Sequence, residues 1–206
     1  MNKIVKIHGC SGAGKTTLIR ALFARAREVG IVRRFVRSDK VIYYQLQLGP
    51  TPIYVLGDYE NNCGGCDTID TAEKVMVLID ELVPQGHVIH EGLLQSTYYG
   101  AMGEHSKQYG DNYIYAFLDT TLEECLERVV ARREAQGTTR KFNPDLTRRK
   151  HETIAKLKSK LEGWGTHRIL SLDGRSGLAF YELLSALGPE YGKLILQHGE
   201  GGEASV

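Results

Sequence analysis

Gly9-Cys10-Ser11-Gly12-Ala13-Gly14-Lys15-Thr16 holds the plainest chemistry in this chain of 206 residues. It satisfies G-x-x-x-x-G-K-[ST], a pattern whose small residues let successive backbone N–H groups turn inward around phosphate oxygens. An apolar run over residues 3–8 precedes it and a helical pattern follows it. The first N–H groups of that helix, with their partial positive charge, therefore face the same anion. Residues Gly9 to Thr16, with Thr17 next in line, are expected to bind the nucleotide. Lys15 is expected to reach the β and γ phosphates, facing solvent when no nucleotide is bound, and the Thr16 hydroxyl to join a Mg²⁺ shell. Cys10, with no base beside it in the sequence, reads as a small filler of the loop.

A second group of charges lies further along. From Arg128 to Lys160 eleven Lys/Arg stand against Glu134, Asp145 and Glu152, a net +8 in a chain whose total is +1, so the remainder carries −7. Such a block suits a solvated helix face, a phosphate-gripping lid or a nucleic-acid footprint. Arg128 and Arg132 are four apart, on one face of a helix. Arg128 is expected beside the nucleotide, and Arg132 or Arg133 has the planar guanidinium suited to charge on a transferring phosphoryl.

The elements that must position these groups can be read from periodicity. Strands are expected over 3–8, 31–37, 41–48, 53–56, 87–90, 113–118 and 167–172, with 41–48 and 53–56 a hairpin across Gly49-Pro50-Thr51-Pro52. Helices are expected over 15–29, 71–83, from Leu122 to Arg133, 145–161 and 178–187. Ala72, Val75, Met76, Ile79 and Leu82 supply the apolar stripe of one, and Thr120 or Thr121 with Glu123 or Glu124 the cap of another. This alternation predicts an α/β fold, a parallel five-stranded sheet with helices on both faces, plus a basic helical lid over about 128–160. Ligands then lie at the carboxyl ends of the strands. The domain is expected over 1–188, with a polar tail over 189–206 disordered towards its end.

Composition narrows the classes. The 42% hydrophobic content suffices for a core, and no apolar run approaches the roughly 20 residues of a membrane span. Charge interrupts the N-terminal apolar run too early for a secretory signal, and a cytoplasmic protein is expected. Cys10, Cys63, Cys66 and Cys125 do not make a disulfide framework. Cys63-Gly-Gly-Cys66 is a single CxxC with no second pair, so a tight turn is the better reading than zinc. There is no N/T-K-x-D, D-x-x-G or L-S-G-G-Q stretch of the kind used by GTPases and transporter ATPases.

What remains resembles the small-molecule and polynucleotide kinase branch of the P-loop proteins, over roughly residues 1–188. That resemblance implies ATP and Mg²⁺ as cofactors. It makes Asp39, in Arg37-Ser38-Asp39, the expected base for the acceptor hydroxyl, although Ser-Asp is also an ordinary turn pair. It also makes Glu91, closing the strand His87–His90, the acid that orients Mg²⁺ or water, against the plain reading of a strand-end glutamate.

Gly64-Gly65-Cys66-Asp67-Thr68, His90-Glu91-Gly92-Leu93-Leu94 and Phe117-Leu118-Asp119-Thr120-Thr121, with Arg128 and Arg132, are similar to a bacteriophage family. Its members are kinases that phosphorylate 5-hydroxymethyluridine already within DNA. The resemblance implies a DNA partner carrying a modified base, an acceptor-side role for Asp67, and backbone contacts from Arg140, Arg148, Arg149 and Lys150. Tyr43, Tyr44, Tyr98 and Tyr99 can be stacking platforms for an extruded base or ordinary packing residues. A kinase for a free nucleoside, nucleotide or other small hydroxyl compound, a polynucleotide end kinase and a regulatory NTPase stay as rivals; the oligomeric state is open.

Overall fold

A computed structural model describes residues 1–60, 65–92, 99–138, 142–174 and 178–191. The chain runs β1 (Ile4–His8), α1 (Lys15–Val29), β2 (Ile31–Arg37), β3 (Lys40–Gln47), β4 (Ile53–Leu56), α2 (Ala72–Leu82), β5 (His87–Glu91), α3 (Gly100–Ser106), β6 (Tyr113–Leu118), α4 (Leu122–Ala135), α5 (Pro144–Trp164), β7 (Arg168–Leu172) and α6 (Leu178–Leu187). The strands form one sheet in the order β2-β3-β4-β5-β1-β6-β7.

The expected five parallel strands are present as β4-β5-β1-β6-β7. Two more, β3 and then β2, join antiparallel at the β4 edge and give a mixed sheet of seven. The miscount has a local cause. Ser38 and Asp39 connect β2 to β3 in two residues at φ 50° and 61°, a tight hairpin made without glycine.

The central strands are buried on both faces, so their sequences read as continuous apolar runs. On one face Val5, Ile7 and Ile89 pack under Leu18, Ile19 and Leu22 of α1 and Leu183 and Leu184 of α6. On the other, Ile4, Val88 and Tyr115 pack under Val75 and Ile79 of α2, Cys125 of α4 and Ile154, Leu157 and Leu161 of α5. Much of the stretch expected as a lid is thus a layer of the fold, because the apolar residues of α5 are spaced for the sheet. The domain also continues past 188: Tyr191 is buried and its hydroxyl donates to the Thr51 carbonyl at 2.9 Å. The rest of the expected tail, 192–206, lies outside the described residues.

Three helix starts follow side-chain chemistry, whereas α1 and the short α3, after Tyr99, have no side-chain cap. Thr71 caps α2, Thr121 and Glu124 form a reciprocal capping box on α4, and Asn143 caps α5 ahead of Pro144. Helix α1 begins at Gly14, in the left-handed region at φ 101°, with no side-chain cap. Its first N–H groups are left for an anion.

Candidate active site

The loop between β1 and α1 lies at the carboxyl ends of the parallel strands. Gly12, at φ 85°, passes so close to α4 that a β-carbon there would stand 2.2 Å from the Cys125 carbonyl oxygen. The Thr120 hydroxyl donates to the Ala13 carbonyl at 2.9 Å, so the β6–α4 corner clamps the loop from outside. Cys10 is buried as a filler, yet it has a partner the sequence did not show: the Cys125 thiol, with His151 and Lys15, draws the Cys10 thiol below its usual range. His151 of α5 reaches the Thr120 carbonyl at 3.2 Å.

Lys15 does not face solvent. It is 8% exposed, and its Nζ donates to the carbonyls of Gly9 at 2.7 Å and Cys10 at 3.2 Å. Burial draws its ammonium below its ordinary 10.5, while the charges of Glu91, Cys10 and Asp67 oppose that shift. The cation is held at the centre of the loop it would share with phosphates.

Two carboxylates face Lys15 across the same cavity, which has a volume of about 540 Å³. Glu91, at the end of β5, is 3% exposed and accepts a long hydrogen bond from the Thr16 hydroxyl at 3.5 Å. Burial raises its carboxyl from 4.5 to about 7, with Asp67 adding to the rise and Lys15 and Thr16 opposing it. Asp67 comes from the turn after β4, whose glycine pattern has a steric cause. Gly65 is at φ 71°, where a β-carbon would lie 2.4 Å from the Glu91 carbonyl oxygen, so only glycine lets the turn approach β5. Gly65 pairs with Asp58 in an isolated bridge. The Thr68 hydroxyl donates to the Gly65 carbonyl at 2.8 Å and accepts from the Asp58 N–H at 3.0 Å. Cys66 is buried beneath, and Asp67 is left on the cavity wall.

This donor set fits a magnesium ion. Mg²⁺ is commonly held by one or two carboxylates plus substrate phosphates rather than by a protein cage. A hydroxyl beside a carboxylate that is reluctant to ionise without a cation is such a partial site. No cluster of three or more metal-ligating side chains occurs among the described residues.

The remaining walls divide by chemistry. Arg128 and Arg132 of α4 line the cavity, and the Arg128 guanidinium donates to the Gly12 carbonyl at 3.5 Å. Leu118, Ala179 and Phe180 make an apolar end near β6 and α6, with Asp173 and Gly174 beside them. Sequence reasoning missed this end. Its one signal was Asp173-Gly174 directly after the last strand, where a ligand-binding turn belongs.

Several expected residues stand elsewhere. Asp39 is exposed in the β2–β3 turn and does not line the cavity, so the turn reading of Ser38-Asp39 prevails. Arg133 points away, its guanidinium 5.9 Å from the Phe142 ring. Arg148 and Arg149 are exposed and Lys150 half-buried on α5, and none of the three lines the cavity. Arg140, Cys63, Leu93, Leu94 and Tyr98 lie outside the described residues. Tyr44 is buried with its hydroxyl donating to Asp58, and Tyr99 packs against Trp164 and Tyr115, so neither is a free platform. Tyr43 is half-buried, stacked on Phe35.

A strand, a glycine loop that opens an uncapped helix, and an acid at the end of the neighbouring parallel strand define a P-loop nucleotide-binding protein. The chain belongs to the AAA-domain family, whose sequence profile matches residues 2–174. It is 34% identical over 166 residues, 79% of this chain and 87% of the relative, to a "5-hmdU DNA kinase" of Pseudomonas phage PaMx11. A protein of the same name from Pseudomonas phage M6 is 35% identical over 77% of this chain and 84% of its own. A third, from Delftia phage PhiW-14, is 24% identical over 65% of this chain and 54% of its own. No described helix is long and apolar enough to cross a membrane.

Proposed function

We propose that this ATP-dependent kinase transfers the γ-phosphoryl group of ATP to the hydroxymethyl oxygen of 5-hydroxymethyluracil within DNA. The observation that carries the reading is the facing of Asp67 and Glu91 across Lys15, built from the segments that resemble the phage enzymes, which are named for that acceptor.

The roles follow from position. The nucleotide base takes the apolar end at Leu118, Ala179 and Phe180, and the phosphates take the loop. Phosphate oxygens replace the Gly9 and Cys10 carbonyls as acceptors for Lys15, and the ammonium keeps its charge where the developing negative charge needs it. Thr16 and Glu91 would hold Mg²⁺, which would supply charge neutralisation for the phosphates. Asp67, on the side away from the base end, accepts the proton of the acceptor hydroxyl as the new O–P bond forms and the bond to ADP breaks. Arg132 stabilises the transferring phosphoryl.

The test is transfer of labelled phosphate from ATP to four acceptors: 5-hydroxymethyluracil DNA, thymine DNA, a 5′-hydroxyl oligonucleotide and free 5-hydroxymethyldeoxyuridine. Label on the first alone is expected. Label on the nucleoside alone makes it a nucleoside kinase, label on unmodified ends a polynucleotide end kinase, and ATP turnover with no labelled acceptor a regulatory NTPase.

A further inference from the structure

The nucleotide cavity has a direction. Its apolar end lies by β6 and α6, and its acidic end, where Asp67 and Glu91 stand, lies by β4 and β5. An acceptor must therefore approach from the β4 side. The basic helix α5 is on the other flank, against β7 and α4. What stands on the acceptor's side is the antiparallel ribbon β2–β3.

That ribbon projects over the reaction rim. Tyr43 is opposite Leu56, the last residue of β4, and the Gly57 N–H donates to the Ile42 carbonyl at 2.8 Å. Lys40 and the turn lie three or more residues further out, about 10 Å past the strand ends at ~3.3 Å per residue. Residues 31–47 carry Arg33, Arg34, Arg37 and Lys40 against Asp39 alone, a net +3. Arg34 is engaged by Glu60 at 2.7 Å, and Lys40 stands 3.6 Å from Asp70, which Lys74 holds at 2.7 Å. Arg33 and Arg37 are exposed and meet no carboxylate among the described residues. Between them Phe35 stacks on Tyr43 with ring centroids 4.5 Å apart.

Beneath the ribbon tip is a second cavity of about 420 Å³, separate from the nucleotide site. Arg37 is at its rim, Ile42, Ile69, Val77 and Leu78 make an apolar floor, and Thr68, next to Asp67, is at its inner end. Glu73 and Glu81 of α2 also line it and repel a phosphate there, and Lys74 of the same helix is held by Asp70 at 2.7 Å, which leaves the ribbon's arginines for a polyanion.

We infer that the β2–β3 ribbon docks the DNA strand bearing the acceptor, with phosphates on Arg33 and Arg37 and an unstacked base of that strand on the apolar floor between the ribbon and α2. The inference rests on the DNA-acceptor reading for its ligand, and it moves the principal DNA footprint from α5 to the opposite flank.

Binding is read apart from transfer, by fluorescence anisotropy of an oligonucleotide containing 5-hydroxymethyluracil across a salt series. Arg33→Ala with Arg37→Ala should weaken binding and lower the log–log salt slope by roughly 1.4–1.8, about 0.7–0.9 for each phosphate no longer neutralised. Val77→Trp, at a half-exposed position, should weaken binding roughly tenfold by filling the space the base would occupy, with the slope unchanged. The KM for ATP should stay at its wild-type value in both. Wild-type affinity and slope in the double variant, or loss of the slope only in Arg148→Ala with Arg149→Ala, overturns the inference even if wild-type protein phosphorylates modified DNA. Binding that depends on the ribbon, without transfer to the modified base, upholds the inference and sinks the acceptor assignment instead.

Discussion

Replacing Glu91 with glutamine should stabilise the nucleotide-free protein while disabling it. The unfolded chain ionises this carboxyl near 4.5 and the folded protein near 7, because burial disfavours the charge. Between those values the folded state holds a proton that the unfolded state has released, so stability falls as pH rises through the window and levels off above it. At about 1.36 kcal/mol per pH unit, the loss approaches about 3 kcal/mol by pH 8. Glutamine has nearly the same shape and no charge at any pH, so the variant lacks this decline. The stability difference should therefore widen by about 2–3 kcal/mol between pH 5 and pH 8, or roughly 4–12 °C in melting temperature at this chain length. Thermal or urea unfolding of both proteins at pH 5, 6, 7 and 8 measures it. In the same variant kcat should fall at least about a hundredfold, as the metal loses its carboxylate. Parallel stability curves for the two proteins across that range would show that Glu91 is not a buried acid facing Lys15, and the proposed metal site would fall with it.

Lys15→Ala should lower turnover at least about a hundredfold without lowering the melting temperature, because it removes a buried charge along with a phosphate donor; near-normal turnover contradicts the kinase assignment. Asp67→Asn should reduce kcat by roughly 10²–10⁴ with the KM for ATP little changed, whereas Asp39→Asn should stay within about twofold of wild type; the reverse ranking in steady-state assays restores Asp39 as the base. Gly65→Ala should destabilise the protein by about 1–3 kcal/mol and reduce transfer, since its β-carbon would meet β5 and its φ is 71°; an alanine protein that melts and works normally refutes the close packing of the turn.

Elements governed by local chemistry were legible in the sequence. The bounds of α1 at Lys15 and Val29, and of β6 at Tyr113 and Leu118, came from periodicity, and the capping box at Thr121 marked α4. Helix α3 escaped because seven residues holding Gly100 and Gly103 carry no apolar stripe to read. The β2–β3 connection escaped because Ser38-Asp39 occupies the left-handed region without the glycine that usually announces it. Among the site residues, the loop and Glu91 were found because strand, loop and helix are contiguous, and Asp67 because its turn carries a recognisable pattern. The burial of Lys15, the turning away of Arg133 and the apolar end at Phe180 depend on how distant segments meet, which spacing along the chain does not encode.

Strand β2 closes the sheet on one side, and among the described residues its outer backbone groups have no neighbouring strand. With Ile31 and Val36 about half exposed, it has the makings of a template on which a second copy could add strand by strand. Three arginines in seven residues oppose that growth by mutual repulsion between copies. Solubility and grip on a polyanion are thus drawn from the same side chains. A polyanion that neutralises them also removes the barrier, so aggregation during unfolding should rise most when protein and nucleic acid are near charge balance, and fall again when either is in excess.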